Sequence, residues 1–160
     1  MDDHFDKYYL KAVYFLKFRQ RSVKEMQDYL KKKNVPEEMS KRVIAKLLED
    51  KFLNDVSFAR EWIESRARFR PKGRRVVEME LKQKGIPNDI IEEVFSDEPS
   101  EDVPDEKEQL KRLVEQRIGR YEGMTRNEIY QKLGAYLGRR GFSWDQIKHS
   151  IDARLGKEYN

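Results

Sequence analysis

The sequence of 160 residues contains no cysteine, which excludes disulfides and thiolate metal sites. Its two histidines, His4 and His149, have no nucleophile or second ligand at metal spacing beside them. No apolar run approaches the ~20 residues that a membrane helix needs, and the first residues lack the basic and apolar regions of a secretory signal. A phosphate-binding Gly-rich loop is also missing. We therefore expect a cytoplasmic monomer that is not an enzyme and needs no membrane, metal or cofactor.

Charged side chains, by contrast, make up 40% of the sequence and hydrophobic ones only 38%, whereas roughly 25% charged is usual. This balance leaves little material for one thick core and favours thin helical units. Residues 1–95 carry 22 bases and 17 acids, residues 96–106 carry six acids and no base, and residues 107–160 carry 12 bases and seven acids. Two basic bodies are thus joined by an acidic segment, 96–106, although the net charge is only +4.

Apolar side chains recur at the three-and-four spacing of amphipathic helices, first over about 5–19. Ser22 and Glu25 have the spacing of a capping box at the start of a second helix. Pro36 suits the first turn of a third helix, because its missing N–H has no partner there. Asp55 is expected to cap a fourth helix that runs to about Phe69.

One pattern of helix ending occurs three times. It consists of a leucine, a basic helix end, a residue that tolerates the left-handed conformation, an apolar residue and a helix starter, at 30–36, 81–87 and 137–143. Another apolar residue follows each pattern in the same register, at Ile44, Phe95 and Ile151. This register predicts an all-α protein of three tandem three-helix, helix-turn-helix-like modules.

The modules are expected at 1–53, 54–96 and 107–160. The first two follow each other without a linker, whereas 97–106 contains two prolines and six acids. We expect this stretch to be an acidic hinge on which the third module swings. A further hypothesis is that its acids shield basic surfaces until a partner displaces them.

Four stretches carry short motifs that together resemble one known family. Residues 19–26 contain Arg-x-Arg-Ser-x-x-Glu-Met, 53–59 contain Leu-x-Asp-x-x-Phe-Ala, 73–86 contain Gly-x-x-x-Val-x-x-Glu-Leu-x-x-Lys-Gly-Ile, and 140–142 are Arg-Gly-Phe. They resemble motifs of the RecX family, in which Leu and Ile are commoner at the positions of Met26 and Val77. The resemblance covers about 8–155 and is most specific in the middle module, whereas the acidic segment is longer than expected.

The resemblance implies three right-handed three-helix repeats in an elongated, curved body that lies in the groove of the RecA–single-stranded-DNA filament. It implies a regulator that blocks filament growth, promotes disassembly and depresses ATP hydrolysis and strand exchange. RecA is the implied partner, and single-stranded and double-stranded DNA are further candidates.

The densest basic stretch, 66–75, holds six bases and no acid. The helix dipole favours cations at a helix end by about 0.3–1 kcal/mol each, which is enough to explain Arg68 and Arg70 without a partner. It does not explain bases at the start of the following helix, so we predict an anionic partner, either phosphates or an acidic protein surface. The candidate residues are Arg66, Arg68, Arg70, Lys72, Arg74 and Arg75. Phe69 is expected in the core, with stacking on a nucleobase as the alternative.

Further basic residues stand at equivalent helix ends and are expected to line one edge of the protein. They are Lys31, Lys32, Lys33, Lys82, Lys84, Arg139 and Arg140. Two other functions stay open. One is a helix-turn-helix DNA-binding protein, although no helix has the Arg/Asn/Gln-rich face that reads bases. The other is a helical scaffold whose charges bind nothing.

Overall fold

The computed structural model describes residues 3–160, and across them the chain forms nine α-helices and one 3-10 turn without any strand. The helices are α1 (Asp3–Leu16), α2 (Val23–Lys32), α3 (Glu37–Glu49), α4 (Asp55–Phe69), α5 (Arg74–Gln83), α6 (Asn88–Ser96), α7 (Glu106–Arg117), α8 (Arg126–Arg139) and α9 (Trp144–Leu155), and the 3-10 turn is Ile118–Tyr121. The predicted all-α class is confirmed. No helix in residues 3–160 is both long and apolar enough to cross a membrane.

The helices pack as two compact units. The first unit extends to Glu61 and includes Leu81–Asp97, with a core of Ala12, Met26, Leu30, Val35, Val43, Ile44, Leu47 and Leu53. The second unit contains Trp62–Glu80 and Glu98–Asn160, with a core of Leu110, Leu113, Val114, Ile129, Leu133, Leu137, Phe142, Ile147 and Ile151. Helices α4 and α5 each contribute to both units. The module boundaries and the hinge at 97–106 stay predictions.

Helices α2, α5 and α8 end in the same turn, as the repeated sequence pattern predicts. In each turn an N–H donates to the carbonyl five residues earlier, at 3.0, 3.0 and 3.3 Å for Val35 to Leu30, Ile86 to Leu81 and Phe142 to Leu137. The residue before each of these donors has a left-handed φ, of 60° at Asn34, 78° at Gly85 and 100° at Gly141. These are Schellman turns, which satisfy the last carbonyls of a helix. The predicted helix endings are therefore confirmed.

The predicted capping box at the start of α2 is also confirmed. The Ser22 hydroxyl accepts from the Glu25 amide at 3.1 Å, and the Glu25 carboxylate accepts from the Ser22 amide at 3.1 Å. Pro36 occupies the N-cap position of α3 and not its first turn. The difference is one residue, and the missing N–H of proline is equally harmless at both positions.

The predicted cap at Asp55 is wrong. Asn54 caps α4, because its side-chain oxygen accepts from the Ser57 amide at 3.1 Å. Asp55 is the first residue of α4 and accepts from the Val23 amide, at the start of α2, at 3.0 Å. Burial raises the pKa of the Asp55 carboxyl. A tertiary contact thus decides the role of this acid.

Candidate functional site: a basic cleft

A cleft of about 670 Å³ in the second unit is lined by six bases and no acid. Its walls come from the end of α4 with the connector that follows, from α7 and from α8. The six bases of this basic cleft are Arg68, Arg70, Lys72, Arg112, Arg139 and Arg140. Two stretches that the sequence marked separately, 66–75 and 139–140, therefore contribute to one site.

The connector after α4 lies directly against the turn that ends α8. The Gly73 amide donates to the Arg140 carbonyl at 2.7 Å, and the Arg140 guanidinium donates to the Pro71 carbonyl at 3.4 Å. A Cβ on Gly73 would lie 2.1 Å from the Gly141 carbonyl oxygen, so only glycine fits here. This backbone contact brings Arg70 and Arg140 to the same cleft.

Glu80 holds two of the predicted bases. Its carboxylate accepts from Arg66 at 3.0 and 2.8 Å and from Lys72 at 3.1 Å, and only 16% of its side chain is exposed. Burial raises the pKa of Glu80, but the hydrogen bonds from Arg66 and Lys72 outweigh burial and hold the pKa below its ordinary value. Arg66 also lies 4.9 Å from the centroid of the Trp62 ring. Arg66 therefore supports the fold beside the cleft, which it does not line.

Other bases of 66–75 also have partners inside the second unit. Arg68 pairs at 3.0 Å with Asp102 of the acidic segment. Arg74 pairs with Glu78 at 2.7 Å, and the Arg75 guanidinium donates to the Gly138 carbonyl at 3.1 Å. Carboxylates thus neutralise more of this stretch than its local composition indicates.

Three bases of the cleft have no such compensation. Among the side chains of residues 4–160, no carboxylate lies within ion-pair distance of Arg70, Arg139 or Arg140. The Arg140 guanidinium lies 5.0 Å from the centroid of the Tyr136 ring, and the Arg117 guanidinium lies 3.6 Å from it. Because a concave surface with one sign of charge concentrates the field, these three arginines make the cleft attractive to anions.

Phe69 is 77% exposed on the wall of the cleft, so the expectation that it belongs to the core is wrong. It is the last residue of α4, and the buried positions of that helix are Phe58, Ala59 and Ala67. An exposed ring between Arg68 and Arg70 keeps stacking on a nucleobase open as its role.

The remaining candidates lie in the first unit, outside the cleft. Lys31, Lys32 and Lys33 are exposed around the end of α2, and Lys82 is exposed on α5. The Lys84 ammonium lies 3.5 Å from the Glu25 carboxylate. Their alignment along one edge stays a prediction.

Sequence reasoning missed Arg112, Gln116 and Tyr136, which complete the walls of the cleft. No local basic run marks Arg112, and the spacing of Tyr136 is that of an ordinary apolar helix position. Only the packing of α7 and α8 beside the connector shows that these residues share a site. In the part of the chain that the structure describes, no group of three or more His, Cys, Asp or Glu is placed to hold a metal ion.

The fold and the cleft together define a helical-repeat protein that is equipped to attract an anionic partner. Models of the first, second and third three-helix domains of RecX match residues 9–47, 54–94 and 105–151. The chain therefore belongs to the RecX family, and the predicted fold of three three-helix repeats is confirmed.

Named relatives and a solved structure support this assignment. Regulatory protein RecX of Bacillus pumilus (strain SAFR-032) is 35% identical over 158 residues, which are 98% of this chain and 59% of the relative. Regulatory protein RecX of Bacillus subtilis (strain 168) is 35% identical over 94% of this chain and 56% of the relative. The crystal structure of RecX from Lactobacillus salivarius matches with a TM-score of 0.82 at 26% identity, over 96% of this chain and 97% of the other. The chain thus spans little more than half the length of the two curated relatives.

Proposed function

We propose that this protein binds the RecA–single-stranded-DNA filament and lowers its ATP hydrolysis, strand exchange and growth. Membership of the RecX family and the name of its relatives, regulatory proteins, support this role. The observation that carries the proposal is the basic cleft, in which Arg70, Arg139 and Arg140 have no carboxylate partner among the side chains of residues 4–160. The protein acts as a cytoplasmic monomer that binds and does not catalyse.

Charge reversal in the cleft is expected to weaken this regulation. In the variant Arg70→Glu/Arg139→Glu, the concentration that halves the DNA-dependent ATPase of RecA should rise about tenfold, because two uncompensated cations at the proposed contact become anions. The measurement is a titration of RecA ATPase at fixed single-stranded DNA, with circular dichroism to confirm the fold.

The matched control is Arg120→Glu/Lys132→Glu. It makes the same change in net charge at two exposed residues of the second unit that lie outside the cleft. If both variants lose inhibition of the RecA ATPase equally, net charge and not the cleft is responsible. If the folded wild-type protein leaves the ATPase of RecA unchanged, the regulatory role is wrong.

We further propose that the cleft contacts the DNA strand directly. The three uncompensated arginines would bind phosphates, and the exposed Phe69 ring would stack on a base, an arrangement typical of single-strand binding. Three phosphate contacts should give log K a slope of roughly −2 against log salt, at about −0.7 for each contact. If the cleft instead binds an acidic protein surface, the protein should have no affinity for single-stranded DNA in the absence of RecA.

The variant Phe69→Ala should lower the affinity for an oligo-dT strand about tenfold in the absence of RecA, because stacking contributes about 1–3 kcal/mol per base. Phe69→Trp should retain binding and Phe69→Leu should not. Fluorescence anisotropy of a labelled strand measures this, and Phe18→Ala is the control because Phe18 is 67% exposed and lies in the first unit. If Phe69→Leu binds the oligo-dT strand as tightly as the wild type, stacking is contradicted. Protection of a defined duplex sequence in a footprint would instead favour the helix-turn-helix alternative.

A further inference from the structure

The start of α5 in the second unit makes the same kind of contact as the start of α2 in the first unit. The Val23 amide, the first of α2, donates to Asp55 at 3.0 Å, and the Arg74 amide, the first of α5, donates to Glu106 at 2.7 Å. Asp55 and Glu106 are in turn the first residues of α4 and α7. The two helix starts therefore hold equivalent positions in successive three-helix repeats.

The residues directly before the two helices make equivalent contacts as well. The Ser22 hydroxyl donates to the Lys84 carbonyl at 2.7 Å, and the Gly73 amide donates to the Arg140 carbonyl at 2.7 Å. Lys84 and Arg140 belong to the Schellman turns that end α5 and α8. Lys84 of the first unit thus corresponds to Arg140 of the second unit.

A second pair of bases corresponds in the same way, but only the base in the first unit is bound to an acid. Arg19 and Arg70 each stand four residues before the first residue of α2 or α5. The two oxygens of the Glu25 carboxylate accept from the Arg19 guanidinium, one of them at 3.1 Å, and the carboxylate lies 3.5 Å from the Lys84 ammonium. The first unit therefore holds an anion of its own between these two cations.

The pKa of Glu25 shows that the two cations keep this anion charged although only 16% of its side chain is exposed. Burial raises the pKa of the Glu25 carboxyl. Hydrogen bonds from Arg19 and from the Ser22 amide, together with the charge of Lys84, outweigh burial and hold the pKa below its ordinary value. The place is thus suited to a desolvated oxyanion.

The second unit has the two cations but lacks the anion. Val76 is the third residue of α5, as Glu25 is the third residue of α2. Arg70 and Arg140 both line the basic cleft, and neither pairs with a carboxylate among the side chains of residues 4–160. A Cβ on Gly141 would lie 2.7 Å from a methyl carbon of Val76, so this valine lies beside the turn that carries Arg140. The place that a carboxylate fills in the first unit therefore stays open here.

We propose that phosphate oxygens of a single DNA strand occupy this place beside Arg70 and Arg140, and that an uncharged residue at Val76 keeps it open for them. The inference rests on the proposed direct contact with DNA and adds where in the cleft the phosphate is held. Arginine binds carboxylate and phosphate oxygens with the same geometry, so Glu25 shows how an oxyanion is held there. The exposed Phe69 ring beside Arg70 favours a strand over an acidic protein surface, because the ring can stack on a base.

The test gives the second unit an anion of its own. In Val76→Glu the new carboxylate should pair with Arg70 and Arg140, and the affinity for an oligo-dT strand should fall about tenfold because two charged contacts are no longer available. Val76→Gln has nearly the same shape without the charge and should bind like the wild type. Met79→Glu is the control for net charge, since Met79 is exposed on the same helix and does not line the cleft. Fluorescence anisotropy of a labelled strand without RecA measures all three, with circular dichroism to confirm the fold.

A second measurement uses the wild-type protein and so does not depend on the folding of a variant. When oligo-dT is added, the side-chain Nε–H signals of Arg70 and Arg140 in an NMR spectrum should shift. The signal of Arg19 should stay in place, because Glu25 already binds that guanidinium.

The inference is overturned if folded Val76→Glu binds the strand as tightly as Val76→Gln, or if the Arg140 signal does not move at saturating strand. If Val76→Glu keeps its strand affinity but no longer inhibits the RecA ATPase, the place takes an acidic protein side chain instead of a phosphate. Both results leave the proposed regulation of RecA standing. If the wild type itself does not bind the strand, the proposed direct contact with DNA is wrong and this inference falls with it.

Discussion

The variant Gly73→Ala is expected to lower the free energy of unfolding by about 3 kcal/mol. The added Cβ would lie 2.1 Å from the Gly141 carbonyl oxygen and 2.5 Å from the Phe142 amide nitrogen, and backbone atoms cannot rotate away. Relief requires the connector to move off the turn after α8, which breaks the 2.7 Å bond from the Gly73 amide to Arg140. Urea denaturation followed by circular dichroism measures the loss.

The same substitution at Gly138 should not lower the free energy of unfolding. Gly138 lies in α8, and a Cβ there meets nothing within 4 Å. Alanine is favoured over glycine inside a helix by roughly 0.5–1 kcal/mol, so Gly138→Ala should be neutral or slightly stabilising. If Gly73→Ala unfolds at the same urea concentration as Gly138→Ala, the close contact between connector and turn is wrong.

The helix ends could be predicted from the sequence because their causes are local. A Schellman turn needs a residue that adopts positive φ and an apolar residue after it, and Asn34, Gly85 and Gly141 stand in that context. The capping box of Ser22 and Glu25 is equally local, since both hydrogen bonds close within three residues.

The cleft could be predicted only in part, because its walls meet through tertiary packing. The stretch 66–75 is visible as a charge cluster, but Glu80, which holds Arg66 and Lys72, lies outside that window. Arg139 and Arg140 join it only because Gly73 lets two backbone segments touch. The error at Asp55 has the same origin. Asn54 and Asp55 are equally good caps by local sequence, and only the tertiary hydrogen bond from the Val23 amide to Asp55 distinguishes them.

The variant Glu80→Gln should lower the free energy of unfolding by about 2 kcal/mol at pH 7, because Arg66 and Lys72 lose a shared, largely buried anion. The loss should depend on pH. Burial raises the pKa of Glu80, but hydrogen bonds from Arg66 and Lys72 outweigh it and leave the pKa below its ordinary value. An acid with a lowered pKa in the folded state contributes stability above its unfolded pKa, roughly 4.3, and loses it as pH falls through the folded pKa. The difference between wild type and variant should therefore be complete at pH 7 and shrink below about pH 4.

Glu78→Gln is the matched control on the same helix. Glu78 pairs with Arg74 at 2.7 Å, but the Arg74 side chain is 52% exposed, and an exposed pair four residues apart contributes only about 0.3–0.5 kcal/mol. If Glu78→Gln lowers the free energy of unfolding as much as Glu80→Gln does, the role of Glu80 is contradicted. It is also contradicted if the difference in stability between wild type and Glu80→Gln does not shrink in acid. Because Glu80 opposes the charge of the cleft, its removal should not weaken the binding of a DNA strand while the protein stays folded. Weaker binding by the folded variant would mean that Glu80 positions Lys72 for its anionic ligand.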